Sequence, residues 1–213
     1  MSAPRRARTL TTVDALTETL RRRILDGDLQ PGTPLREEAL SSEYDVARHS
    51  LRSALRSLQG EGIVQIEPNR GARVKSLSPA DVRSLSELRI ALELEAARMV
   101  LARDAVLPPS VHDALDRLVR ACRRSRPSWG SVAGLHEELH HAIVAAADSP
   151  RLTEAHGRAG AELRLFVLQL PGSWTLERIA ADHEALVSEL ESTGAEALRP
   201  HIEESTAALL EAT

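Results

Sequence analysis

The chain has 213 residues, 42% of them hydrophobic, enough apolar material for one large or two small domains with real cores. The absence of any run of 18 or more apolar residues, an N-terminus without an apolar signal core and a single cysteine, Cys122, exclude a membrane span and predict a reducing cytoplasm. The net charge of −4 is unevenly spread: residues 1–76 carry 13 Lys/Arg and 10 Asp/Glu, the rest 14 and 21, so the two parts hold +3 and −7. That asymmetry suits a DNA-facing module joined to an acidic partner domain. All basic residues but Lys75 are arginines, whose forked guanidinium groups can read guanine edges as well as hold phosphates.

Along the chain, Val13, Leu16, Leu20 and Ile24 form one helical stripe, stopped by Asp26-Gly27-Asp28 and Pro31-Gly32. Arg36 to Tyr44 reads as a short helix, Asp45-Val46 as a tight connection, and Ala47 to Gln59 as a helix with Leu51, Leu55 and Leu58 inward. Ile63–Ile66 and Ala72–Val74 flank a Gly-containing turn, which predicts a β-hairpin wing. Ser78-Pro79 has the pattern of a helix start, placing a domain boundary near residue 77: a winged helix-turn-helix in 1–76 and a second domain in 77–213. Beyond it, helices are predicted over 79–105, 109–125, 130–147, 150–170, 174–192 and 195–211, with breaks at proline and glycine pairs that include Pro171-Gly172. The fold class is therefore mostly α, a winged helix-turn-helix followed by an all-α antiparallel bundle.

In a helix-turn-helix the second helix enters the major groove by its N-terminal residues, here Ala47, Arg48, His49, Ser50 and Arg52. The i, i+4 spacing of Arg48 and Arg52 puts both guanidinium groups on one face while Leu51 and Leu55 anchor the other. The stretch from Leu35-Arg36-Glu37-Glu38-Ala39-Leu40 through Val46-Ala47-Arg48-His49-Ser50-Leu51-Arg52, with Glu61-Gly62-Ile63-Val64 and Arg70-Gly71-Ala72-Arg73-Val74, resembles GntR-family regulators over residues 13–75. The resemblance implies binding to double-stranded operator DNA, with Arg36 contacting phosphate or base and Arg70-Gly71 approaching the minor groove from the wing tip. The recognition helix keeps the two arginines of the family pattern and departs from it at Ala47, His49, Ser50 and Ser53.

Ser78–Val82 leading to Leu88–Glu93 looks like the opening of the FadR-type C-terminal domain, a helical ligand-binding domain. Its next marker is Leu135-His136-Glu137-Glu138-Leu139-His140 followed by Ser149-Pro150-Arg151-Leu152, with His136 where the family has Asp. The i, i+4 pair His136 and His140 can chelate a first-row divalent ion such as zinc or nickel, as Asp and His do in the family. By the same resemblance His183 and His201 complete a four-residue metal cluster. An ungapped reading places Ser205 instead of His201, and Pro200 could start the last helix near Arg199 and turn His201 away. His141 is expected to be peripheral, and His112 and His156 have no motif around them. The resemblance also implies a small carboxylate effector bound against the metal, with Arg89 either pairing its charge or forming an ion pair with Glu93 at i+4.

The reading is a cytoplasmic homodimeric regulator, a repressor whose operator affinity responds to that effector. Two alternatives stand beside it: a helical-bundle enzyme with a catalytic metal, and a regulator that senses the metal ion itself. The enzyme reading leaves the winged module unexplained and lacks an acid/base partner, since adjacent Glu137 and Glu138 read as solvated helix surface.

Overall fold

The structure, a computed structural model, describes residues 11–170 and 174–211; the predicted break at Pro171-Gly172 lies outside them. The first helix, α1 (Thr12–Leu25), starts in a capping box in which Thr11 and Asp14 satisfy each other's backbone amides. It buries Leu16, Leu20, Ile24 and Leu25 against α3. The helix-turn-helix is α2 (Glu37–Glu43) and α3 (Arg48–Gly60), and the reversal between them passes through Asp45 in the left-handed region at φ 49°. Leu51, Ala54, Leu55 and Leu58 face inward, the apolar side of the 3.6-residue period.

The wing is β2 (Val64–Glu67) paired antiparallel with β3 (Gly71–Val74), Val64 opposite Val74. Its turn requires positive φ at Asn69 and Gly71. A third strand absent from the sequence reading, β1 (Pro34–Leu35), pairs antiparallel with β3 to give the order β1-β3-β2. Two residues are too few to show alternation, and hydrogen bonds from Gly32 N to Val74 O (3.0 Å) and from Val74 N to Thr33 O (2.9 Å) draw this segment to the sheet.

Beyond the wing the chain is helical. Ser78 caps α4 (Pro79–Arg89) in a second capping box with Asp81. The predicted helix 79–105 is interrupted by a π-helical turn (Ile90–Leu94) before α5 (Glu95–Asp104), which ends at the left-handed Ala105, φ 60°. Then follow α6 (Pro109–Cys122), α7 (Trp129–Ala145), α8 (Pro150–Leu168), α9 (Leu176–Thr193), a short 3₁₀ turn (Ala195–Ala197) and α10 (Leu198–Glu211). Helix α7 packs between α6 and α8, α6 against α9, and α10 against α4. Cys122 is buried and its thiol is pushed up to about 11 by burial, so it is inert. Among the described residues no helix is long and apolar enough to cross a membrane.

The two domains meet along α7 and α8. Lys75 pairs with Asp81 (3.0 Å) and Glu162 (3.4 Å), and Gln169 Oε1 accepts from Leu77 N (3.0 Å) and Ser76 Oγ (3.1 Å). Arg164 Nη2 donates to Leu25 O at 3.2 Å. Gly130 of α7 lies directly on the backbone of Asp26, where an added Cβ would overlap main-chain atoms. Gly130→Ala should therefore force the domains apart locally and destabilise the chain by about 1–3 kcal/mol. Gly60→Ala, with nothing within 4 Å of the new methyl group, should be neutral or stabilising. Thermal unfolding of the two variants measures the contrast, and equal melting temperatures would contradict the tight seam.

Candidate functional site

At the start of α3 the side chains of Arg48 and Arg52 are 64% and 57% exposed, so both guanidinium groups project outward from the helix whose other face forms the core. Each rests on a carboxylate at the start of α2: Arg48 Nη2 on Glu38 at 3.3 Å, Arg52 Nε on Glu37 at 2.8 Å. Exposed pairs of this kind are worth about 0–1 kcal/mol, so phosphate or guanine can replace the carboxylates at small cost. His49 is exposed and Ser50 partly buried, Ser50 Oγ lying 3.3 Å from His49 Nε2. Arg36 is the exposed N-cap residue of α2. Arg70 and Gly71 stand exposed at the tip of the wing, Arg70 held loosely by Glu67 at 3.4 Å. These residues share no enclosed cavity; they form an open basic surface over the helix-turn-helix and its wing.

Inside the second domain α7 and α9 bring His136, His140 and His183 together, all buried, with one ligand atom from each within 4.8 Å of the others. His201 of α10 is partly exposed, its ring centroid 4.7 Å from that of His183 and 5.5 Å from that of His140. Helix α10 begins at Leu198, so Pro200 falls in its first turn, where a missing amide is tolerated, and His201 faces the cluster. Ser205 is buried, and its hydroxyl donates to Ile202 O at 3.0 Å. A recess of about 310 Å³, lined in part by Asp182, Glu189, Pro200 and Glu204, opens beside His201.

Hydrogen bonding fixes which ring nitrogens hold protons. His183 Nδ1 donates to Ile179 O at 2.7 Å, which leaves Nε2 of a neutral ring as a lone pair. His140 Nδ1 lies 2.8 Å from Glu93 Oε2, and an ionised carboxylate only accepts, so His140 Nε2 is also a lone pair. The two Nε2 atoms face each other at 3.3 Å. Facing lone pairs repel unless a proton or cation lies between them. His136 Nδ1 is buried without a hydrogen-bond partner. Burial holds all four rings neutral: it lowers His183 to about 3 from the ordinary value near 6.5, His136 and His201 well below that value, and His140 below it against the opposing pull of Glu93. Neutral imidazoles with their second nitrogen anchored are the form that binds first-row divalent ions. The residues present therefore fit a metal.

Glu93 lies within the π turn and is fully buried. Burial alone would raise its carboxyl, but Arg89 and His140 outweigh it and hold the group well below the usual range. Arg89 is itself buried: its Nε donates to Glu93 at 2.9 Å and its Nη2 lies 3.3 Å from both ring nitrogens of His140. The fourth member corrects the sequence reading. His156, without a motif around it, is buried with Nε2 3.3 Å from Glu93 Oε1, and the peripheral His141 lies with Nδ1 3.4 Å from His156 Nδ1. Glu93 carried one legible signal, a charge set among Leu92, Leu94, Ala96 and Ala97. His156 carried none, because its partner is 63 residues away in sequence. His112 pairs with Glu191 at 3.1 Å at the surface.

Two family models match the chain: bacterial regulatory proteins of the gntR family over residues 12–74, and the FCD domain over residues 84–207. The chain is 31% identical over 140 residues to an HTH-type transcriptional regulator of Agrobacterium vitis from the TAR-I ttuE-ttuC' intergenic region, covering 63% of this chain and 80% of that protein. It is 42% identical over 79 residues to the HTH-type transcriptional repressor RspR of Escherichia coli K12, covering 37% and 35%. Among solved structures, a GntR regulator from Rhodococcus sp. RHA1 superposes with a TM-score of 0.79 at 23% identity, covering 94% of this chain and 98% of that one. McbR/YncC of E. coli superposes at 0.71 and 16%, covering 96% and 99%. The chain belongs to the gntR family of bacterial regulatory proteins and is a DNA-binding transcriptional regulator, not an enzyme, whose second domain is an FCD domain.

Proposed function

We propose that this regulator is a repressor that releases or holds its operator in response to a small organic acid bound at a divalent metal in the FCD domain. The observation that carries the sensing half is the 3.3 Å approach of His140 Nε2 to His183 Nε2, neither holding a proton. His136, His140 and His183 would hold the ion with His201 at the open side, and the ion would supply a Lewis-acidic centre for a carboxylate. Charge favours an anion: Arg89 and Glu93 cancel and the histidines are neutral, so a divalent ion leaves the site at about +2. Of the carboxylates that line the recess beside His201, Asp182 and Glu204 are paired with Arg178, so they do not bar an anion from it. Arg89 acts here mainly as the counter-ion of Glu93 and reaches an effector only across the His140 ring.

On the DNA side, Arg48 and Arg52 enter the major groove, His49 and Ser50 beside them, with Arg36 on the backbone and Arg70-Gly71 at the minor groove. A homodimer would present two such helices about one turn of duplex apart, roughly 34 Å. Effector and operator would then each bias one of two arrangements of the dimer, reciprocally and typically by about 1–3 kcal/mol.

Arg48→Ala and Arg52→Ala should each weaken binding to an operator selected from random DNA by about 1–3 kcal/mol while leaving circular dichroism unchanged. Unaltered affinity in both variants would reject this recognition helix. Zinc or nickel should raise the melting temperature, about 2.7 kcal/mol of stabilisation at a hundredfold excess over Kd, with a further rise on adding an organic acid. His183→Ala should lose most of the metal response; a variant that keeps it in full counts against the cluster. Without metal, the unfolded chain takes up protons on its histidines below about pH 6.5 while folded His183 does not until about pH 3. Stability is thus fully present above pH 6.5 and falls as pH drops towards 3, by up to about 1.4 kcal/mol per pH unit for each such histidine. Glu93 adds to the loss only below the usual carboxylate range. Denaturant unfolding at pH 7.5, 6 and 5 checks this, and a flat profile would contradict neutral burial.

A further inference from the structure

We propose that Glu137, His141 and His156 form a second divalent-metal site, on the opposite side of Glu93 from the His136/His140/His183 cluster. One ligand atom from each of the three lies within 4.8 Å of the others. Glu137 and His141 are one turn apart on α7, each one residue after a member of the first cluster, so they point about 100° round the helix towards α8. There His156 meets them. Its Nε2, 3.3 Å from Glu93 Oε1, must donate because an ionised carboxylate only accepts, and in the tautomer that carries its single proton on Nε2 the other nitrogen, Nδ1, is a lone pair. That lone pair is aimed at His141 Nδ1, 3.4 Å away. A buried carboxylate that fixes the tautomer of a histidine and leaves the other nitrogen open is the usual outer support of a metal ligand.

The surface of α8 beneath this group is cut away. A Cβ at Gly160 would lie 2.9 Å from Glu137 Oε1, and one at Gly157 3.7 Å from His141 Cε1. A glycine at 160 leaves room for the Glu137 carboxylate beside the two imidazoles. Two nitrogens and one carboxylate oxygen suit zinc, cobalt or nickel and not calcium or magnesium, which take oxygen ligands. Glu137 and His141 are only partly buried, so the site has access from solvent. Glu93 gives one oxygen to each side, Oε2 to His140 and Oε1 to His156, and so supports both groups at once. The proposal does not depend on the first cluster holding an ion.

The test uses metal-free full-length protein dialysed against zinc, with bound metal measured by mass spectrometry. Wild type should take two ions per chain, and the E137Q/H141A and H136A/H183A variants one each. If wild type takes one ion that only H136A/H183A removes, the second site is overturned while the first cluster stands. If it takes one that only E137Q/H141A removes, the second site stands and the first cluster fails. A direct readout is H141C loaded with cobalt: near-ultraviolet thiolate-to-cobalt absorption appears only if position 141 touches the metal, and its absence in a folded variant overturns the assignment.

Discussion

A single carboxylate buried in a helical bundle organises the interior of the FCD domain. Glu93 accepts from Arg89, His140 and His156 and is fully buried. A buried charge stripped of its partner costs about 3–5 kcal/mol, so these residues are held as a set and not as independent contacts. The backbone helps to place the set: Glu93 sits in a π turn that widens the helix by one residue per turn exactly where α4 passes into α5. Each histidine that Glu93 touches donates to it through one nitrogen and turns its other nitrogen, as an acceptor, to the neighbouring side chains.

Two of the helices that hold the histidines, α7 and α8, also touch the DNA-binding domain. Helix α7 carries His136 and His140 and, near its start, Gly130 against Asp26. Helix α8 carries His156 and then Glu162 and Arg164, whose partners are Lys75 and Leu25, with Gln169 just past its end. A helix is stiff over these lengths, so the histidine groups and the recognition unit are joined by two rods and not by a flexible linker.

Much of this was legible in the chain itself. The winged module followed from the leucine spacing of α1 and α3, from the turn residues of the wing and from the outward pair Arg48 and Arg52, all of which are local in sequence. The capping signal at Ser78-Pro79 and the proline breaks located most helices to within a few residues. Strand β1 was not legible because two residues have no period, and it exists only because β3 offers it a free edge. The π turn leaves no mark in a 3.6-residue pattern. His136 and His140 were visible by spacing, whereas Glu93 with His156 depends on the π turn and α8 coming together, a contact that no local pattern encodes.

The seam at Gly130 has a mechanical consequence. Where two bodies meet through side chains, rotamers can creep and let one slide over the other by degrees. Here main chain rests on main chain, with no side chain to act as a cushion. Any reorientation of the two bodies at this point must open the joint completely or leave it shut, which makes the hinge a latch rather than a spring.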